Sequence, residues 1–310
     1  MTPFTTVFVG GSPRSGTTWI QILLSQHPAI ATAQETHVFN WYLGQMASRY
    51  AQETNDTRPR KIGLHTLLTP DEFRQVLRRI CGDVLERIQA TRPGSTVVVE
   101  KTPANIDHWR LALDLFPEAR FVNVIRDPRG VFASLRSAAD TWGSAWASRS
   151  AINGARRWVA TIAQGRELSR ATPHYREIKY EALLSDTAVE YRGLLEWLGL
   201  PADEAFVARA VEACSMDQLR SKGAANVPAA LTKEPQGFFR KGESEGWRDE
   251  LSAKDIRLIE HVARAEMAEL GYQFDTTNSD RRPWRLACFD FLDRLRGFTN
   301  ARLQRMRDGL

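Results

Sequence analysis

Short apolar runs of strand length recur along this chain, and segments with helical spacing fill the intervals between them. Thr5–Val9, Thr96–Val99, Arg120–Ile125 and Tyr175–Ile178 each read as a strand. Pro70–Ala90 places Phe73, Val76, Leu77, Ile80, Val84, Leu85 and Ile88 on one helical face, with Thr69 and Glu72 as a capping box at its start. Ile152–Leu168 repeats the pattern around Trp158 and Ile162. Ser252 with Asp255 opens a further helix whose apolar side is Ile256, Ile259, Val262, Ala263 and Met267, ending at Gly271. Strands alternating with helices predict an α/β fold: a central, mostly parallel sheet flanked by helices, with ligands at the carboxyl ends of its strands. Ser221–Gly246, rich in Gly, Pro, Lys and Glu, reads as a long loop, and long loops inside compact domains tend to be functional.

The first strand leads into the sharpest chemical signal. Val7–Trp19 reads Val-Phe-Val-Gly-Gly-Ser-Pro-Arg-Ser-Gly-Thr-Thr-Trp, a strand, a glycine-punctuated turn and a helix start. That unit gathers backbone N–H groups and a helix N-terminus around a phosphate. Gly11 and Gly16 have the spacing of a Walker loop, but Thr17 and Thr18 stand where that motif needs Lys and then Ser or Thr. The positive charge sits instead at Arg14. An ATPase or kinase with a degenerate loop is the poorer reading, and a different phosphate-bearing donor the better one. A second anion signal follows downstream. The run Phe121–Ile125 ends at Arg126-Asp127-Pro128-Arg129-Gly130, and Ser134 falls early in the helix that Pro128 opens. An arginine at a strand end and that serine can meet on one anion, although a salt bridge between Arg126 and Asp127 is the plainer alternative.

These segments resemble the PAPS-dependent sulfotransferases, nearest in motif to the glycan and protein-tyrosine type in a soluble, bacterial-like form. The family's 5′-phosphosulfate loop is similar to Ser12–Trp19 and its 3′-phosphate element to Arg126–Ser134. A third element is similar to Arg240-Lys241-Gly242, with Trp247 just beyond. The resemblance spans roughly residues 5 to 272 and implies a P-loop-like sulfotransferase fold. It implies 3′-phosphoadenosine 5′-phosphosulfate (PAPS) as co-substrate, with no metal required and a hydroxyl-bearing acceptor (glycan, lipid-linked or small metabolite). Arg14, Ser15, Gly16, Thr17 and Thr18 would hold the phosphosulfate. Arg126, Ser134, Arg240, Lys241 and Gly242 would hold the 3′-phosphate, and Trp19 and Tyr180 the adenine. Trp19 also reads as core, at the head of an amphipathic helix. Glu35, in Gln34-Glu35-Thr36-His37, would be the general base, with His108 the rival, while Arg14 and Lys101 would stabilise charge. His37 and Trp41 are acceptor-side candidates. Phe39, Tyr42, Trp142 and Trp146 would stack on a sugar or line an apolar pocket, although aromatics at such spacings more often belong to the core. A non-catalytic nucleotide-binding protein of the same fold is the remaining alternative, disfavoured by Arg14, Glu35 and Lys101 being present together.

Charge adds less than its sign suggests. The formal net charge is +5, and the segment from Arg281 onward, with eight arginines against three aspartates, carries the whole excess. Basicity is therefore no sign of nucleic acid at the core, and no nucleic-acid motif is present. Residues 1–275 read as the sulfotransferase domain and 276–310 as a basic amphipathic C-terminal helix, with Trp284, Cys288, Phe291, Leu295 and Phe298 on its apolar side. It would dock on the domain or a second copy of the chain, or lie on anionic lipid. Cys81, Cys214 and Cys288 are far apart, with no Cys-x-x-Cys pairing, so neither a disulfide framework nor a zinc site is expected. Met1 leads directly into the first strand without a basic, apolar leader, so the expectation is a cytoplasmic protein, associated with a membrane at most at its surface.

Overall fold

The computed structural model describes residues 4–56, 62–222, 235, 237–239 and 242–276. The central sheet has five parallel strands in the order β2-β3-β1-β4-β5. They are β1 (Thr5–Gly11), β2 (Ile30–Thr32), β3 (Val97–Lys101), β4 (Arg120–Ile125) and β5 (Tyr175–Lys179). The expected strands are all present, most of them a residue or two longer. β2 is additional; it is a three-residue edge strand beyond β3 with too little pattern to register in the sequence.

Alternation along the strands divides the core into two layers. Val7, Val9, Val97, Val99, Val122 and Val124 face one side, where they pack with α1 (Thr17–Ser25). Phe8, Val98 and Phe121 face the other, against α2 (Gly44–Thr54) and α3 (Pro70–Ala90). Burial on both faces is why these strands read as nearly continuous apolar runs. The Thr69/Glu72 capping box of α3 is formed as expected, with the Glu72 backbone N–H donating to Thr69 Oγ1 at 3.3 Å. α4 (Trp109–Leu115) follows a 3₁₀ turn at Pro103–His108. α5 (Pro128–Ala139) and α6 (Ala151–Ala171) pack beside β4 and β5.

The later helices are α7 (Tyr180–Ser185), α8 (Thr187–Trp197), α9 (Glu204–Ala213), α10 (Met216–Lys222), α11 (Trp247–Glu250), α12 (Ala253–Val262) and α13 (Arg264–Glu269). The single helix expected from Ser252 to Gly271 is two, because Ala263 leaves helical geometry at φ −99° and ψ 13°. Cys81 and Cys214 are buried free thiols, and burial pushes that of Cys214 up to about 12. Among the described residues no helix is long and apolar enough to cross a membrane. The basic tail, with Cys288, lies outside the described residues, as do Arg240, Lys241 and most of the Ser221–Gly246 loop.

The chain builds β2 and β3 on one side of β1 and β4 and β5 on the other, so the sheet reverses its winding beside β1. That crevice, outside the carboxyl ends of the strands, is where open α/β sheets place ligands. Gly11, Lys101 and Ile125 end β1, β3 and β4 there.

Candidate active site

A cavity of about 590 Å³ opens at this crevice, within the size range of small-molecule sites. Its lining brings together Arg14, Gly16, Thr17, Thr18, Trp19, Glu35, His37, Trp41, Arg126, Ser134, Tyr180 and Gly242, from segments spread over more than two hundred residues. Ser15 is fully buried behind this surface. Arg240 and Lys241 belong to the residues not described.

The loop after β1 is shaped for a close ligand. Gly11 has φ 143°, and a Cβ there would lie 2.3 Å from the Val124 carbonyl oxygen. Gly16, the N-cap of α1, has φ 103°, and a Cβ there would meet the Tyr180 ring at 2.6 Å. Both positions need glycine. Arg14 and His37 are the non-glycine residues with left-handed φ, at 72° and 52°. Such strain gathers where surrounding structure holds a site in place. Ser12 Oγ and Ser15 Oγ are buried without a hydrogen-bond partner among the described residues, two hydroxyls in the loop expected to take an anion.

At the β3 side lies a chain of charges. Lys101 ends β3 with 1% of its side chain exposed. Its Nζ donates to Thr18 Oγ1 at 3.1 Å and to Glu35 Oε1. The other carboxylate oxygen, Glu35 Oε2, lies 3.4 Å from His37 Nε2, whose ring stacks on Trp41 at 3.7 Å and 9°. The Glu35 loop is pinned to β3 by a second buried carboxylate, Glu100. Glu100 accepts from Thr36 Oγ1 at 2.8 Å, Thr102 Oγ1 at 2.7 Å and Asn105 Nδ2 at 2.6 Å. This bracing sets residue 36 and, with it, the position of Glu35. The rival His108 does not line the cavity, and burial holds its imidazole below the usual histidine range.

At the β4 side the expected Arg126–Asp127 salt bridge is absent. Asp127 caps α5 by accepting from the Arg129 N–H at 2.8 Å and takes the Arg129 guanidinium at 2.6 Å, while its own N–H donates to Glu181 at 2.9 Å. Arg126 turns towards the cavity instead. It lies over the Tyr180 ring at 4.1 Å and donates to the Arg14 carbonyl at 3.3 Å, with its buried Nε lacking a partner among the described residues. Arg14 departs from the expectation that it and Ser134 mark separate ends of a ligand. Its Nε donates to Ser134 Oγ at 3.0 Å and its Nη2 to the Phe238 carbonyl at 2.6 Å, with the guanidinium 4.0 Å from the Phe238 ring and 5.2 Å from Trp142. The left-handed backbone at Arg14 and the two aromatic faces explain this reach towards α5.

Trp19 belongs to the core, one of its two readings, and also reaches the cavity wall. It is buried, its Nε1–H donates to the Cys214 carbonyl at 2.9 Å, and it lines the cavity beside Tyr180. Trp142 and Trp146 also line the cavity, whereas Tyr42 does not. Phe39 is in the core, edge-on to Phe8 at 5.2 Å, because the π-helical turn Val38–Leu43 directs it inward. Met216, Phe238, Phe239 and Asn40 line the cavity unanticipated. The first three approach it from around the long loop, which has no periodicity to reveal an inward face.

A parallel sheet with a glycine turn at its winding reversal, and arginines and a Lys–Glu pair around one crevice, define a P-loop-like α/β fold whose crevice has the chemistry for an anionic ligand. Residues 6–204 match the Sulfotransferase family, and the chain belongs to that family. The nodulation protein NoeE of Sinorhizobium fredii is 25% identical over 295 residues, covering 86% of this chain and 65% of the relative. A protein-tyrosine sulfotransferase of Drosophila melanogaster is 27% identical over 131 residues, 42% of this chain and 25% of that protein. The chain thus spans between 25% and 65% of the length of these two relatives. Mouse sulfotransferase SULT7A1, solved in complex with PAP, shares the fold with a TM-score of 0.58 at 15% identity, over 85% of each chain. The sulfotransferase domain of the Synechococcus PCC 7002 olefin synthase shares it at a TM-score of 0.52 and 18% identity, over 84% of this chain and 95% of that one.

Proposed function

We propose that the chain transfers a sulfonate group from PAPS to an acceptor hydroxyl. The observation that carries this reading is one cavity lined by Glu35, the glycine turn and Arg126, with the buried Lys101 bonded to Glu35 from behind the lining. Arg126 lines the cavity, and its Nε has no partner among the described residues, which suits an anionic group beside it. The PAP bound in the mouse enzyme of the same fold supports the same choice.

PAPS supplies an activated sulfonate on a phosphate leaving group. The turn from Ser12 to Thr18 would bind the phosphosulfate through backbone N–H groups and hydroxyls, with Trp19 and Tyr180 near the adenine. Arg126 and Ser134, joined by Arg240, Lys241 and Gly242, would hold the 3′-phosphate. Glu35 takes the proton from the acceptor hydroxyl as the new S–O bond forms and the S–O bond to phosphate breaks. Lys101 aims Glu35, and its bond to Thr18 ties that carboxylate to the phosphosulfate turn. Arg14 leaves Ser134 to bear on charge growing at the leaving oxygen. His37 and Trp41 would border the acceptor. Residues 1–275 do this work as one domain in this reading, with 276–310 as an appended basic segment.

Purified chain incubated with PAPS and cell extract should yield products heavier by one sulfonate, read by mass spectrometry, and Glu35→Gln should abolish them. Products carrying phosphate from ATP in place of sulfonate would overturn the reading.

A further inference from the structure

Asn40 lines the cavity and also a second, more open groove with Gly44, Gln45, Ser48, Arg49, Gln52 and His108. We infer that this groove is an extended acceptor subsite for a neutral oligosaccharide, whose reacting sugar enters beside Glu35 while the following sugars lie along α2. This rests on the sulfotransferase reading and deepens it.

The side chains along α2 sit at positions 45, 48, 49 and 52, one helical face and about 10 Å of axis at 1.5 Å per residue. That length accommodates a pair of pyranose rings. The groups suit hydroxyls: Asn40, Gln45 and Gln52 carry amides, each both donor and acceptor, and Ser48 adds a hydroxyl. Their mutual contacts are long, with Gln45 Nε2 3.5 Å from the Asn40 carbonyl and Gln52 Nε2 3.4 Å from Ser48 Oγ, which leaves capacity for a ligand. Arg49, on the groove's lining, has Glu53 beside it at 2.9 Å, so its charge has a carboxylate neighbour within the same helix. Burial holds His108 below the usual histidine range, so at neutral pH its imidazole is uncharged and offers one donor and one acceptor. Gly44 lets that ring approach, because a Cβ there would lie 2.9 Å from it. Trp41, next to Asn40 in the chain and on the cavity's lining, is 56% exposed and stacked on His37, a flat apolar face of the kind on which the C–H side of a sugar ring packs.

A peptide acceptor would ask for different features. Extended peptides take main-chain hydrogen bonds from a sheet edge, and an acidic peptide needs uncommitted cations. The described groove offers the flank of a helix and a paired arginine.

The test measures labelled sulfonate transfer at saturating PAPS to glucose, galactose and N-acetylglucosamine, to their di- and trisaccharides, and to hydroxyl-bearing hexapeptides. For at least one sugar series, kcat/KM should rise by at least about tenfold from mono- to trisaccharide, the effect of one or two net hydrogen bonds. Ser48→Trp, which fills the groove, should bring the tri- to monosaccharide ratio close to one, and Gln45→Ala/Gln52→Ala should lower it without adding bulk. Peptides outrunning every saccharide, or a ratio that both variants leave at the wild-type value, would overturn the subsite. A PAP titration by calorimetry separates the two layers. A chain that binds PAP but shows no length dependence loses only the groove, whereas one that ignores PAP loses the sulfotransferase reading too.

Discussion

The two sides of the cavity are built on different principles. At the end of β3 the charges are already satisfied: Lys101 is buried and bonded to Glu35 and Thr18, and Glu100 braces the loop that carries Glu35. At the end of β4 the cations rest on aromatic rings and loop carbonyls, and Arg126 Nε has no partner among the described residues. A preorganised side suits chemistry, because dipoles fixed in advance cost no reorganisation when charge moves. A side with buried donors in waiting suits binding, because the ligand supplies what is missing.

Substitutions on the two sides should therefore separate turnover from affinity. The largest effect is expected at Glu35→Gln, with kcat falling on the order of a hundredfold to ten-thousandfold and PAP affinity unchanged. Full activity in that variant would remove Glu35 as the base. Lys101→Met takes the cation from a buried pair and should lower kcat on the order of a hundredfold, again with little change in the PAP dissociation constant. A kcat loss matched by equal loss of PAP affinity would show that the β3 side binds as much as it reacts.

Arg126→Ala should do the reverse and weaken PAP by about ten- to a hundredfold, the worth of a charge-assisted contact, while AMP binds as before. Equal losses for PAP and AMP would contradict a 3′-phosphate role. Arg14→Lys keeps the charge but loses the fork that reaches Ser134 and the Phe238 carbonyl together, so a roughly severalfold fall in kcat is expected. Because Arg14 touches Ser134, this variant also reports whether the two sides are coupled, and a change in PAP affinity as large as that of Arg126→Ala would merge them.

The smallest effect lies away from both sides. His27 accepts from the Ala29 N–H at Nδ1 and donates from Nε2 to the Pro201 carbonyl, and burial lowers its pKa. The unfolded chain binds that proton more readily, so stability is retained above the usual histidine value of about 6.5 and lost as pH falls below it. The Tm should decline between about pH 7 and about pH 5, and more gently in His27→Gln. An identical decline in the two would exclude His27 as a source.

What the sequence revealed follows from how local each feature is. Strands buried on both faces announce themselves as apolar runs, and the capping box of α3 depends on two residues three apart, so both were legible. The glycine turn was legible because Gly11 and Gly16 answer to backbone geometry within one loop. The Glu35–Lys101 contact joins residues 66 apart, so residue types alone suggested the partners without showing that they pair. Arg14 turning to Ser134 depends on a left-handed backbone and on Phe238 and Trp142 from distant segments, which no local pattern encodes. Met216 and Phe238 were missed for the same reason, and Phe39 takes the core place that is the commoner one for such aromatics, turned inward within the π-helical turn Val38–Leu43.

Calorimetric titration of the purified chain with PAP and with AMP, without added metal, bears most directly on a ligand held at both ends. PAP is expected to bind at least about tenfold more tightly than AMP, the gain from its 3′-phosphate. Equal affinities, or no heat from either nucleotide, would contradict it.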